Sequence, residues 1–226
     1  ESSRAPQPEP GGDGDAFLAK YDPDGTLLWV RQAGGEDHTW GNSVAVDSAG
    51  NAVIAGSFGG KAAFGDTTLR GEGDLGVFVA KYGPDGTLLW ARAASGSGRD
   101  VAYAVATDRM DNIVVAGSFS RSITFGDQAL DAANRKDAFV AKYSPAGAVA
   151  WARAIGGGGE DSARAIVGDG RGNLLITGSF RGELELGSTR LTSAGDRDIF
   201  IAALGPEGVP FWARSAGGTD TDNGFG

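Results

Sequence analysis

An internal repeat of 61 residues constrains the fold of this chain more than any other feature. Two columns of large aromatic residues recur at this interval without insertion or deletion. Trp29, Trp90, Trp151 and Trp212 form one column, and Phe17, Phe78, Phe139 and Phe200 form the other. A fixed period of this kind indicates equivalent supersecondary units that bury their apolar faces against one another.

Each repeat predicts four short strands joined by tight turns. In the second copy the apolar runs lie at 43–47, 52–58, 77–82 and 87–92. The turn Pro84-Asp85-Gly86 separates the last two runs, and this combination favours a hairpin because Pro presets φ and Gly supplies a positive φ. Two further glycine columns recur: Gly56, Gly117 and Gly178 inside the second run, and Gly65, Gly126 and Gly187 in an expected loop.

The third run is apolar on both faces. Phe78 and Ala80 share one side, and Val77 and Val79 share the other. A strand buried on both faces lies between two sheets. We therefore expect an all-β fold, a β-propeller with blades of four antiparallel strands, because blades pack face to face around an axis. A helical repeat is excluded, since no segment has apolar residues at spacings of three and four.

The repeated motifs resemble the bacterial β-propeller repeats called SBBP repeats. In the second copy they read VFVAKYGPDG at 77–86, WAR at 90–92, AVDSAGN at 45–51 and GSF at 56–58. The resemblance runs from about residue 15 to the C-terminus, and it implies an exported or surface-attached bacterial protein without a uniform activity. Three departures are Gly76 in place of the Asp of the other copies, Ala203-Leu204 in place of Lys-Tyr, and Asp111 in place of a turn glycine.

The repeat boundaries predict a tether followed by about three and a half blades. Residues 1–14 are polar and rich in Pro and Gly, which is typical of a disordered tether or of residues foreign to the domain. Residues 15–226 then divide into a half blade (15–42), two blades (43–103 and 104–164), and a blade with the start of the next (165–226). We expect an open arc or part of a larger ring, with self-association as a homodimer through open blade faces, unless further strands lie outside this sequence.

Bulk composition excludes several classes of function. The net charge is −9 and the pI is about 4.6, so no nucleic-acid partner is expected. Without cysteine, neither a disulfide nor a thiolate metal site can form. No apolar run is long enough for a transmembrane segment. The resemblance and the tether predict an extracellular or surface location, with a lipid anchor as one form of attachment.

The candidate catalytic residues do not form a catalytic set. His38 is the only histidine and has no neighbouring nucleophile. The Gly71–Gly76 segment matches a dinucleotide-binding pattern, but no helix follows it. Acidic residues recur in the turn after each Trp strand, at Asp100, Asp161, Asp220 and Asp222. These turns either are solvated or bind calcium, which prefers oxygen ligands in flexible loops; no other cofactor is expected.

Trp40 is the best candidate for a ligand-binding aromatic residue. The four repeated tryptophans keep identical neighbours, which favours packing between blades over stacking on sugars. Trp40 has no such counterpart, because Val101, Ser162 and Asn223 occupy its column, and we place it in a loop with Asp37 and His38. The sequence thus predicts a non-enzymatic exported or surface scaffold that binds a protein or glycan. A lectin-like propeller is the alternative, and a polysaccharide lyase or hydrolase comes third.

Overall fold

A computed structural model describes residues 14–35 and 37–225. The predicted tether at 1–14 therefore lies, except for Gly14, outside the described residues. Within the described ranges the chain forms twenty strands and no helix. The strands are β1 Ala16–Tyr21, β2 Leu27–Gly34, β3 Thr39–Val46, β4 Ala52–Phe58, β5 Lys61–Phe64, β6 Thr67–Arg70, β7 Gly76–Tyr82, β8 Leu88–Ser95, β9 Val101–Thr107, β10 Ile113–Phe119, β11 Ser122–Phe125, β12 Gln128–Asp131, β13 Asp137–Tyr143, β14 Val149–Gly157, β15 Ser162–Gly168, β16 Leu174–Phe180, β17 Glu183–Leu186, β18 Thr189–Thr192, β19 Asp198–Leu204 and β20 Pro210–Ala216.

The blades are antiparallel meanders of four strands, as the sequence predicts. Their strand orders are β3-β4-β7-β8, β9-β10-β13-β14 and β15-β16-β19-β20. The hairpin β1-β2 corresponds to the last two strands of a blade. All of these sheets are open, and the fold is all-β.

The prediction of a loop around Gly65, Gly126 and Gly187 is wrong, because each of these glycines lies in the turn of a small two-stranded hairpin. The hairpins are β5-β6, β11-β12 and β17-β18, and their turn glycines have φ of +57°, +57° and +61°. Each hairpin pairs with the last strand of the preceding blade: β5 with β2, β11 with β8, and β17 with β14. Neighbouring blades are therefore joined by backbone hydrogen bonds as well as by side-chain packing.

The blades diverge from a common side. The first strands β3, β9 and β15 contact one another directly from blade to blade. At the opposite edge the small hairpins fill the gap, where β6 contacts β8, β12 contacts β14, and β18 contacts β20. The first strands therefore lie nearest the axis of the arc, and the hairpins lie at its rim.

Three apolar layers between successive sheets form the core. Strands β4, β7, β10 and β13 are buried along their whole length. Phe78 and Ala80 belong to the layer shared with the preceding sheet, and Val77 and Val79 belong to the layer shared with the next. The prediction of burial on both faces is confirmed for this strand.

The four phenylalanines of the repeated column are not equally buried. Phe78, Phe139 and Phe200 are fully buried, whereas Phe17 is 70% exposed. Phe17 lies on the outward face of the first described sheet, where no further described sheet covers it. The three buried rings pack over Gly56, Gly117 and Gly178, whose added Cβ atoms would lie 2.9, 2.6 and 2.9 Å from them.

The tryptophan column fastens each blade to the next. The indole N–H groups of Trp29, Trp90 and Trp151 donate to the carbonyl oxygens of Pro84, Pro145 and Pro206 at 2.9, 3.1 and 3.0 Å. Each acceptor lies in the hairpin turn of the following blade. We call this contact the Trp-turn latch. It accounts for the burial of these three rings, which leaves none of them open to a sugar.

Charged side chains reinforce the latch. The guanidinium groups of Arg31, Arg92 and Arg153 lie 5.8, 5.7 and 5.8 Å from the centroids of the latch rings. Lys81 forms a buried ion pair with Asp47 at 2.8 Å and also donates to Pro145 O at 3.4 Å. One lysine therefore connects a turn of its own blade with the latched turn of the next.

The departures from the repeat are compensated locally. Gly76 replaces the Asp that packs over a glycine in the other copies, and the glycine opposite it is replaced by Ser95. Asp111 replaces a turn glycine and keeps a positive φ of 59°. Its carboxylate accepts hydrogen bonds from Ser48 N and Oγ of the preceding blade, at 2.9 and 2.6 Å, and these contacts offset the backbone strain.

The latch can be tested with two glycines in the same column. Gly147 and Gly25 have φ of +81° and +82°, but an added Cβ would lie 2.7 Å from Trp90 at Gly147 and contacts nothing within 4 Å at Gly25. We expect Gly25→Ala to cost only the left-handed backbone strain, about 1–2 kcal/mol. Gly147→Ala should lower the free energy of unfolding by about 1–3 kcal/mol more, because it displaces the ring. Equal losses in urea denaturation would contradict the latch.

Candidate functional site

A β-bulge recurs at the same position of the first strand in each blade. Strand pairing skips Asn42 in β3, Tyr103 in β9 and Arg164 in β15. The partner-strand glycines Gly56, Gly117 and Gly178 allow it. An added Cβ there would lie only 1.8, 2.1 and 1.9 Å from the backbone oxygens of Trp40, Val101 and Ser162. A bulge re-aims the extra side chain, so each blade directs one side chain out of the regular alternation near the axis.

The three bulge side chains connect neighbouring blades. Asn42 Nδ2 donates to Ala102 O in the next blade at 2.8 Å. The guanidinium of Arg164 lies 4.0 Å from the centroid of the Tyr103 ring, within cation–π distance. The Tyr103 hydroxyl lies 3.4 Å from Ser118 Oγ. The row of bulges therefore forms one continuous polar and aromatic surface across three blades.

Trp40 lies beside this row. The prediction of a loop is wrong, because Trp40 is the second residue of β3 and pairs with Ser57. Its ring is 41% exposed and stacks on His38, with centroids 5.0 Å apart and planes inclined by 19°. The Asp37 carboxylate turns toward the Gly59-Gly60 bend instead. The structure thus brings together two of the three predicted ligand-binding residues.

A cavity of about 200 Å³ opens between β3 and β9. Trp40, Asn42, Arg99 and Tyr103 contribute to its wall. We use the name axial site for His38, Trp40, Asn42, Arg99, Tyr103 and Arg164. It combines the exposed Trp40 ring and the half-buried Tyr103 ring with amide and guanidinium donors.

The axial site coincides with the columns in which the repeats differ. Asn42, Tyr103, Arg164 and Phe225 occupy one column, and His38, Arg99, Glu160 and Thr221 occupy another. The strand pairing is the same in every blade, so the backbone fold does not demand this divergence. The same divergence marks Trp40 in the sequence, and Tyr103 and Arg164 show it equally, although neither was predicted as a site residue.

The four predicted calcium ligands do not converge on one point. Asp100 and Asp161 are buried at successive blade junctions, where they accept N–H groups of Ser120 and Arg181 at 3.3 and 3.2 Å. Asp220 is exposed, and Asp222 accepts the N–H of Gly218 at 2.8 Å. In residues 14–35 and 37–225, no group of three or more His, Cys, Asp or Glu side chains is placed to hold a metal. Calcium binding by these residues stays a prediction.

Burial dominates the electrostatics of the two inner aspartates. Loss of hydration disfavours the carboxylate and raises the pKa of Asp100 and of Asp161 to about 7 each, although backbone N–H groups oppose the shift. The carboxyl of Asp137 also raises the pKa of Asp161. These groups change charge near neutral pH.

Comparison with known proteins agrees with the geometry. Residues 28–57 match the family model of the SBBP β-propeller repeat. The chain is a β-propeller repeat protein. It is 24% identical over 237 residues to an uncharacterized WD repeat-containing protein of Acanthamoeba polyphaga mimivirus, covering 86% of this chain and 17% of that protein. It is 29% identical over 155 residues to the regulatory protein FlaEY of Caulobacter vibrioides, covering 66% of this chain and 16% of that one.

The propeller chain thus spans about a sixth of the length of these two relatives. One relative is viral and the other bacterial. A solved structure from Bacteroides caccae, of a protein of unknown function, aligns over 89% of this chain and 94% of its own with 11% identity and a TM-score of 0.31. A score at that level does not establish a shared fold. The described part of the propeller contains no helix that could cross a membrane.

The buried carboxyl of Asp100 predicts a specific pH dependence. Its pKa is raised in the folded state, so its stabilising effect is present at acid pH and is lost as the pH rises toward about 7. An Asn side chain resembles the protonated carboxyl of Asp100 and does not titrate. We expect the stability advantage of the wild type over Asp100→Asn to shrink by more than about 1 kcal/mol between pH 5 and pH 8. A difference that is constant across urea titrations at these pH values would contradict the assignment.

Proposed function

We propose that this propeller is a non-enzymatic scaffold that binds a protein or glycan partner at the axial site. The observation that carries the proposal is the divergence of side chains on a repeated bulge. Trp, Tyr and Arg are the residues most enriched among binding hot spots, and the site holds Trp40, Tyr103 and Arg164. Among the described carboxylates, none forms a salt bridge with Arg99 or Arg164, so both guanidinium groups remain available to a partner.

A lectin-like activity is the second candidate. The exposed Trp40 ring, stacked on His38, offers a flat apolar face. Asn42 and Arg99 lie on the same cavity and supply polar groups for hydroxyls. This combination of one apolar platform with few polar groups is typical of small-molecule and sugar sites. A lyase or hydrolase ranks third, and the names of the relatives, a repeat protein and a regulatory protein, favour a non-enzyme.

We further propose that the protein acts outside the cell or at the outer surface of a bacterium, with a lipid anchor as one form of attachment. The support is the resemblance of its repeats to those of exported proteins. Self-association belongs to the same proposal, because exposed Phe17 and Phe211 supply apolar contact surface. Fractionation of the producing cells and the mass in solution test these two points.

Trp40→Ala separates the candidates. For a lectin, the wild type binds on a glycan array, and Trp40→Ala loses that binding by at least tenfold with an unchanged melting temperature. For a protein scaffold, the wild type selects peptides from a displayed library, and the same variant loses them. Met110→Ala is the matched control, because Met110 is 69% exposed in the turn at the opposite end of β9.

Two results would contradict the proposal. One is full retention of all glycan and peptide binding in Trp40→Ala. The other is release of reducing ends from a polysaccharide panel by the wild type, which would establish an enzyme.

A further inference from the structure

Two buried acids at the junction of the second and third complete blades lack a full set of partners. Asp137 begins β13, and Asp161 immediately precedes β15 of the next blade. Their exposed fractions are 2% and 0%. The glycine-rich segment Gly156–Gly159 leads from the end of β14, in the blade of Asp137, to Asp161. The two carboxyls thus belong to adjacent blades that the same loop connects.

Each carboxyl is satisfied on one oxygen only. Asp137 Oδ2 accepts the N–H of Ala133 at 2.8 Å, and Asp161 Oδ1 accepts the N–H of Arg181 at 3.2 Å. Asp137 Oδ1 and Asp161 Oδ2 are buried and have no hydrogen-bond partner in the described part of the chain. A buried polar atom without a partner calls for an explanation, often an ion or a water molecule.

The surrounding charges do not neutralise the pair. The N–H of Asp161 donates to the carbonyl oxygen of Lys136, the residue before Asp137, at 2.9 Å, so the two acids lie side by side across the junction. The guanidinium of Arg197 lies at this junction, 3.3 Å from the carboxylate of Glu160. Among the described ion pairs, neither Asp137 nor Asp161 has a cationic partner. Burial of an uncompensated carboxylate is costly, so a further positive charge would stabilise this junction.

We propose that Asp137 and Asp161 hold a divalent cation of the calcium class. Calcium takes oxygen ligands only, tolerates irregular geometry, and readily uses backbone carbonyls of flexible loops. Softer metals prefer thiolate or imidazole ligands. This chain has no cysteine, and its only histidine, His38, lies in the segment between β2 and β3. A cation bound here would link β13 of one blade to the segment that enters the next.

The repeat supplies internal comparisons for this site. Asp198 and Asp222 are the equivalent pair one repeat later, and Asp198 Oδ1 is also buried without a partner among the described atoms. At the preceding junction Asp100 is present, but Gly76 replaces the second acid. We therefore expect calcium at the paired acids, Asp137 with Asp161, and not at Asp100 or Asp220.

The first experiment removes the site. The chain is stripped with chelator, and its melting temperature is compared in 1 mM calcium and in chelator. A ligand that binds only the folded state raises this temperature, here by on the order of 5 °C. Asp137→Asn and Asp161→Asn should each reduce the rise, by the same amount, whereas Asp100→Asn should keep it in full. An identical wild-type melt in both buffers, with no calorimetric heat on calcium addition, would overturn the proposal.

The second experiment builds the missing site. Gly76→Asp restores the absent acid opposite Asp100, and Ser95→Gly makes room for it, since an added Cβ at Gly76 would lie 3.1 Å from Ser95 Cβ. Titration calorimetry should show one more calcium per chain in the double variant than in the wild type. Unchanged stoichiometry in a folded double variant would overturn the paired-acid assignment. Neither experiment needs a protein or glycan partner, so its outcome is independent of the function proposed above.

Discussion

The hydrogen bond from a buried tryptophan to a turn of the next blade is the interaction on which the rest of this structure depends. A buried indole N–H must find an acceptor, and in three blades it finds the proline carbonyl of the following hairpin turn. Donor and acceptor are 55 residues apart each time. This equal separation is what an unbroken repeat of 61 residues produces.

The same architecture separates folding from recognition. The central strands of the first two complete blades are buried on both faces, and most of their residue types recur from copy to copy. The first strand of each blade varies in sequence from copy to copy. Its bulge, opposite Gly56, Gly117 and Gly178, turns one side chain out of the sheet in every blade. These three glycines therefore have two functions: they make room for the phenylalanine ring and they permit the bulge.

Much of the fold could be predicted from the sequence because its signals are local. The two-sided pattern around Phe78 and the turn at Pro84-Asp85-Gly86 each lie within a few neighbouring residues. The rim hairpins could not be found in this way. Their strands have only four residues each, and their partner lies in the preceding repeat. Trp40 was placed in a loop because the bulge at Asn42 interrupts the alternation that identifies a strand.

The candidate sites could also be predicted only in part, because their residues meet across blade junctions. Asp161 was recognised as an acid in a glycine-rich turn, but its neighbour Asp137 was treated only as part of a repeated motif, since the two meet across a blade junction. Tyr103 and Arg164 lie in strands whose pattern is otherwise regular. Contact between residues about one repeat apart, such as Arg164 and Tyr103, requires the blade arrangement and cannot be obtained from local spacing.

The central claim is that equivalent latches hold successive blades together, and a series of Trp→Phe variants tests it most directly. Phe keeps a six-membered aromatic ring but lacks the five-membered ring with its N–H donor, so urea unfolding should show similar losses of about 1–3 kcal/mol at Trp29, Trp90 and Trp151. Trp212 is half-exposed and has no latch acceptor among the described residues, so its replacement should cost less than about 0.5 kcal/mol. A loss at Trp212 as large as at the other three, or negligible losses at all four, would contradict the account.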